Sequence, residues 1–198
     1  MATSRSIISA MQVTLDGYSS PGDAAWVDSW ADGLDLLPPV DAFVLGGGMF
    51  PDYESFWASI LENPRAAAGF LGRDIYPREI AYARLAAQTP HLVLSKTLSA
   101  PTWPSARIVH DINEIRALKE ERGGAVYVVG GPTLLTSLVN EGLLDELRLI
   151  VHPVIAGSGT PLFAEINETR TVELVSAEQI PSGRTHLTYR FGTDEQPS

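Results

Sequence analysis

The chain contains no cysteine. That excludes a disulfide framework and a thiolate metal site. None of its four histidines, His91, His110, His152 and His186, sits at an H-x-x-x-H or H-E-x-x-H spacing, so no metal centre is expected. No apolar run is long enough to cross a bilayer. The N-terminus lacks a basic region followed by an apolar stretch, so no signal peptide is expected and a cytoplasmic protein is. Positive charge is scarce as well. From Ser6 to Pro64 there is no Lys, Arg or His, against nine Asp and Glu. The formal net charge of the whole chain is −10, which disfavours nucleic acid and anionic membranes as partners. The acidic stretch reads either as a solvated face or as a site wall that disfavours anionic substrates.

What is present suffices for one core: 198 residues, 44% of them hydrophobic. No linker, repeat or low-complexity segment interrupts them. Residues 1–192 are expected to form a single domain, with 193–198 a disordered tail.

Patterning predicts strands over 5–13, 42–45, 91–94, 126–129 and 146–154, and an antiparallel pair over 171–177 and 185–191 around Pro181-Ser182-Gly183. Helices are predicted over 53–61, 77–88 and 133–140, and from a cap at Asp111 through Arg122 with Glu114 in the capping-box position. Trp26, Trp30 and Leu34 fit one face of a further helix starting near Asp23. Residues 63–74 have no clear period and read as irregular. Helices between the first strands imply a mostly parallel sheet. The last strands, joined without helices, imply an antiparallel edge.

The sharpest local signal is Val126-Tyr127-Val128-Val129-Gly130-Gly131-Pro132-Thr133-Leu134-Leu135. A buried strand runs into a glycine pair and then into a helix. Glycine lets backbone approach a ligand closely, and the helix start offers unpaired N–H groups to a phosphate. The bland alternative is a tight turn. Downstream, Asn140-Glu141-Gly142-Leu143-Leu144-Asp145-Glu146-Leu147 leads through Arg148–Ile155 into Ala156-Gly157-Ser158-Gly159-Thr160-Pro161-Leu162-Phe163. This run resembles the C-terminal reductase domain of the bifunctional riboflavin deaminase-reductases, a branch of the dihydrofolate reductase-like fold. Ser6–Gly17 resembles that family's first strand with its S-L-D-G ending, and Leu92–Leu98 its strand-and-turn with Ser and Thr. The resemblance spans roughly residues 5–192, with a poor match between 47 and 90.

The resemblance implies an α/β, dihydrofolate reductase-like, mostly parallel sheet with antiparallel C-terminal edge strands and flanking helices. It implies NADPH as cofactor and a pterin-like or aminouracil-like small-molecule substrate. Gly130 and Gly131 would take the pyrophosphate, and Ser95, Lys96 and Thr97 the adenosine-ribose end, with Lys96 on the 2′-phosphate. Ala10, Gly46, Gly47, Val129, Thr133 and Leu134 complete the implied cofactor set. Substrate contacts fall to Asp16, Trp26 and Asp28, each with a structural alternative as turn, core or surface residue. Gly157-Ser158-Gly159 reads as a loop beside the cofactor. Asp145, Glu146 and His152 read as structural. No catalytic residue is assigned, and no Ser-His-Asp set supports hydrolase chemistry.

One departure stands out. The family commonly has G-R-x-T-Y-E after its second strand, where this chain reads Gly46-Gly47-Gly48-Met49-Phe50. An Arg–phosphate hydrogen bond is worth roughly 1.5–3 kcal/mol. Its loss raises the alternative of a non-catalytic, nucleotide-binding, dimer-forming relative. The basic-free first third also points to a neutral or cationic heterocycle, unless Arg65, Arg73 or Arg78 folds over the site. Finally, an apolar strand such as 147–154 is a liability at a sheet edge, and pairing between copies would hide it; with the family's habit, this implies a homodimer.

Overall fold

A computed structural model describes residues 4–20, 26–33 and 37–192. Asp23, Leu34 and the tail 193–198 lie outside the described residues. In chain order the elements are β1 (Ile7–Thr14), β2 (Tyr18–Ser20), β3 (Val40–Gly46), α1 (Phe50–Glu62), α2 (Pro64–Leu71), α3 (Pro77–Gln88), β4 (His91–Leu94), β5 (Ala106–Val109), α4 (Asn113–Glu120), β6 (Ala125–Val128), α5 (Pro132–Asn140), β7 (Glu146–His152), β8 (Thr160–Pro161), β9 (Val172–Ile180) and β10 (Arg184–Phe191).

Eight strands form one sheet in the order β5-β4-β3-β6-β1-β7-β10-β9, and β2 pairs with β8 apart from it. Pairing is parallel from β5 to β7 and antiparallel at β7–β10 and β10–β9. The chemistry of the strands explains the layering. β3 and β6 are apolar on both sides, as strands covered on both faces must be. Phe43, Leu45 and Tyr127 face the cluster built with α1, α2 and α3. Val44, Val126 and Val128 face the cluster built with α4 and α5.

Two expectations need correction. No helix forms among residues 26–33, which are bends and turns. Tertiary bonds take the carbonyls a helix would use: Asp28 O accepts from Arg73 Nη2 (2.6 Å) and Ser29 O from Gln12 Nε2 (2.8 Å). Residues 63–74 are not irregular but contain α2. Asn63 Oδ1 caps it from Ala66 N–H, Pro64 opens it and Gly72, at φ 67°, closes it. The short strands β2, β5 and β8 add to those the hydrophobic pattern predicts. And β7 is interior, covered by β10, so the C-terminal edge of the sheet is β9, where Leu174 and Val175 are exposed.

Asp145 holds the sheet's middle to its helices. Its Oδ2 accepts from Ile7 N–H (2.7 Å) and its Oδ1 pairs with Lys119 Nζ (2.7 Å). We expect Asp145→Ala to cost about 1–3 kcal/mol by orphaning the Ile7 donor and the ammonium. Urea unfolding of the variant checks this; an unchanged midpoint would contradict it.

Candidate functional site

Parallel pairing brings three strand ends to one edge of the sheet. Val44 lies opposite Val128, Ser9 opposite Val128, and Gly46 opposite Leu94. The ladder then continues one step: Val129 N–H donates to Val44 O, Gly47 N–H to Leu94 O and Ser95 N–H to Val109 O, each at 2.9 Å. Gly46, Gly47, Ser95, Val129 and Gly130 therefore lie along one line across the strand ends, level with Ala10 inside β1. Open α/β sheets bind ligands at such an edge.

The glycines differ in role. A Cβ built on Gly47 would overlap Ser95 Cβ and Oγ, so Gly47 is required by the close approach of two turns. A Cβ on Gly130 would come within 2.9 Å of Leu134 Cδ2, so Gly130 lets the turn close on the first turn of α5. Gly46 is 3.9 Å from Leu134 Cβ by the same construction. Gly48 and Gly131, in contrast, face open space. Gly131 is the N-cap of α5, and no side chain caps that helix. Its free N–H groups and the open space above Gly131 fit a phosphate group. Leu134 is buried in the core and offers only backbone; Thr133 is exposed.

The neighbouring turn is built by hydrogen bonds. Ser95 Oγ accepts from Leu98 N–H (3.0 Å) and Thr97 N–H (3.3 Å), and His110 Nδ1 donates to Ser95 O (2.7 Å). Lys96 is exposed and makes no hydrogen bond or ion pair to a described residue.

A cleft of about 1040 Å³ opens beside Gly131. Ala10, Val129 and Gly130 line it, with Gln12, Arg148 and Ile150 from β1 and β7 and aromatic side chains from α1. Its charged lining residues are Asp52 and Arg148. Arg148 Nε donates to Glu146 Oε1 (2.5 Å), while Asp52 has no partner among the described residues. Under the cleft, Tyr53 OH lies 3.2 Å from Tyr82 OH and 3.4 Å from His91 Nε2. His91 Nδ1 is 2.7 Å from Thr89 O, which assigns the ring proton to Nδ1 and leaves Nε2 to accept. Burial holds His91 down to about 4 and raises both tyrosines well above their ordinary range. Burial thus favours the neutral form of each group in this chain.

The three expected substrate residues are not brought together in the cleft. Asp16 Oδ1 accepts from Thr14 Oγ1 (2.7 Å) and Ala156 N–H (3.1 Å), and its Oδ2 from Gly157 N–H (2.7 Å). It clamps the end of β1 to the Gly157-Ser158-Gly159 loop. Trp26 packs edge-on against His152 at 4.5 Å, and its indole N–H is buried without a partner among the described residues. Asp28 accepts from Tyr76 OH (3.0 Å) and Arg78 Nη2 (2.8 Å). The cleft residues Gln12 and Arg148 escaped the sequence reading. The signal was available: Glu146, Arg148, Ile150 and His152 alternate along β7, so polar groups share one face of a buried strand.

Residues 5–185 match the family model of the RibD C-terminal domain, and the chain belongs to that family. It is similar to the YyaP protein of Bacillus subtilis (strain 168), 27% identical over 192 residues, covering 94% of this chain and 95% of that one. Its fold is similar to a pyrimidine reductase-like protein from Corynebacterium diphtheriae, with a TM-score of 0.59, 16% identity, and 96% and 93% of the two chains covered. It is also similar to dihydrofolate reductase from Enterococcus faecalis, solved with NADP(H), with a TM-score of 0.57, 14% identity, and 98% and 100% covered. The fold is thus the dihydrofolate reductase-like α/β sheet.

The Asp16 clamp carries a pH signature. Donors from Thr14, Gly157 and Ala156 hold its carboxyl at about 2, below the ordinary 3.8. A depressed folded value means its stabilisation is complete above the unfolded value and is lost as pH falls through the folded one. We expect Asp16→Ala to be less stable than wild type near neutral pH, with the gap closing between about pH 4 and pH 2. Urea midpoints across that range check it; a gap independent of pH would contradict the clamp.

Proposed function

We propose that this RibD C-terminal domain family member is an NADPH-dependent oxidoreductase. It reduces an unsaturated C–N or C=O group in a small pterin-like or aminouracil-like heterocycle. The observation that carries this reading is the shared opening of Gly131 and the cleft. An uncapped helix N-terminus and a largely apolar chamber meet at the end of a buried parallel strand. When bound, the cofactor supplies the hydride.

The chain's residues supply position and field. The N–H groups at the start of α5 hold the pyrophosphate, and Gly131 and Gly48 leave it room. Lys96 meets the 2′-phosphate, flanked by Ser95 and Thr97. In the cleft, Arg148 binds a ring oxygen and Asp52 an amino edge. Aromatic walls exclude water and stack on the ring. Tyr53 and Tyr82 keep their protons. The Asp52 carboxylate, unpaired among the described residues, suits a neutral or cationic heterocycle, since Arg148 is already paired with Glu146. A cytoplasmic location is part of this proposal; among the described residues no helix is long and apolar enough to cross a membrane. Exposed Leu174 and Val175 on the edge strand β9 support a homodimer formed there. A single domain over 1–192 is consistent with one sheet carrying both clusters.

A second reading has one observation in its favour. Gly47 stands where the family has Arg, and Ser95 fills the place of any side chain there. A relative that binds nucleotide without turnover would tolerate that loss.

NADPH fluorescence titration checks the cofactor site. Wild type is expected to bind, and Gly131→Asp to abolish binding by placing a negative charge at the pyrophosphate. Lys96→Ala should weaken NADPH about fivefold or more and NADH much less. Absence of binding at millimolar NADPH would overturn the reductase reading, and equal losses for both cofactors would remove Lys96 from its role. Light scattering should return twice the 21.4 kDa chain mass; a monomer mass would refute the dimer.

A further inference from the structure

We propose, resting on the heterocycle reading above, that the cleft continues into an apolar subsite between α1 and α2. This subsite takes an aromatic or alicyclic tail carried by the substrate ring. The cleft's volume of about 1040 Å³ stands at the upper end of what one drug-sized ligand fills. Room therefore remains beyond a nicotinamide and a single ring.

The walls of that extra room are apolar. Ala66, Ala67, Phe70 and Leu71 of α2 line it, with Phe56 of α1 and Trp30 of the 26–33 segment. Their spacing puts the four α2 residues on one helical face. The two alanines leave a hollow, and the Phe56 and Phe70 rings, 6.3 Å apart at 60°, form its border. Phe70 is 81% and Trp30 53% exposed, a large apolar surface left to water at the mouth of a cavity. A bound apolar group would cover part of this surface.

Charge argues against the other tail chemistry, a phosphate. Arg73, Arg78 and Arg184 are engaged elsewhere. Arg73 reaches both oxygens of buried Glu79, at 2.8 and 3.0 Å. Arg78 lies between Asp28 (2.8 Å) and Asp32 (2.7 Å), and Arg184 pairs with Asp32 (2.6 Å). Arg65 is outside the lining. A phosphate among Phe56, Phe70 and Leu71 would face apolar side chains with no cation among them, which is unfavourable.

The test uses the full chain saturated with NADPH and calorimetric titration of three probes. These are 5,6-diaminouracil, its 6-N-benzyl derivative and its 6-N-ribityl 5′-phosphate derivative. The benzyl compound should bind about tenfold or more tighter than the parent. The phosphorylated compound should bind no tighter than the parent. Ala66→Trp, a substitution on an exposed helical position, fills the hollow; it should erase the benzyl advantage and leave parent affinity within about twofold. Equal affinities for parent and benzyl compound, tightest binding of the phosphate, or an advantage that survives Ala66→Trp would each overturn the subsite while leaving the ring site standing. If NADPH binds but no uracil does, the heterocycle reading fails and this inference with it. If Phe70→Ser separates a dimer without changing the preference among probes, a second copy covers the face and the subsite is refuted.

Discussion

The parallel pairing of β6 between β3 and β1 is the constraint on which the site depends. In that register Val128 is level with both Val44 and Ser9. The glycine turn after β6 is thereby level with the glycine turn after β3 and with Ala10. β4 extends the line, because Gly46 pairs with Leu94 and Gly47 then abuts Ser95. A slip of one residue would exchange the two faces of β6 and move Tyr127 from the α1–α3 side into the cluster under α5. The edge on which a nucleotide could lie is thus a product of core packing rather than of loop sequence.

A second theme is the disposal of charge. The basic-free first third is not a bare acidic face. Asp28 and Asp32 meet Arg78, Asp32 also meets Arg184, and Ser29 Oγ donates to the Glu79 that Arg73 holds. Arg73 and Arg78 stack on Tyr76 at 4.0 and 4.2 Å. These pairs tie the 26–33 segment to the α2–α3 connection and set one wall of the cleft. Arg73 and Arg78, which could have met an anionic substrate, act as structural ties, and aromatic side chains line much of the cleft beside them.

Much of the fold was legible because its signals are local. The strand, glycine pair and helix of 126–140 lie where the hydrophobic pattern puts them, and α3 and β4 match residue for residue. The capping signature Asn63-Pro64 with Gly72 was equally local but was masked by alanines without clear period. The 26–33 segment misled for the opposite reason: Trp26 and Trp30 have helical spacing, yet distant partners, Gln12 and Arg73, take its carbonyls. The site shows the same division. That Gly131 opens α5 could be read from chain order alone. Asp28 and Asp52 look alike in sequence, both acids among apolar residues, and only the fold shows that Asp28 is tied to Arg78 and Tyr76 while Asp52 lines the cleft.

The central claim is that the turn at Gly130-Gly131 and the start of α5 seat a dinucleotide's phosphates, with the β3 and β4 turns beside them. Backbone amide NMR on isotope-labelled protein titrated with NADPH tests it most directly. The account predicts large shift changes confined to the amides of Gly48, Ser95, Lys96, Gly130, Gly131, Thr133 and Leu134, with β9 and β10 unmoved. Changes centred elsewhere, or none at the start of α5, would contradict it.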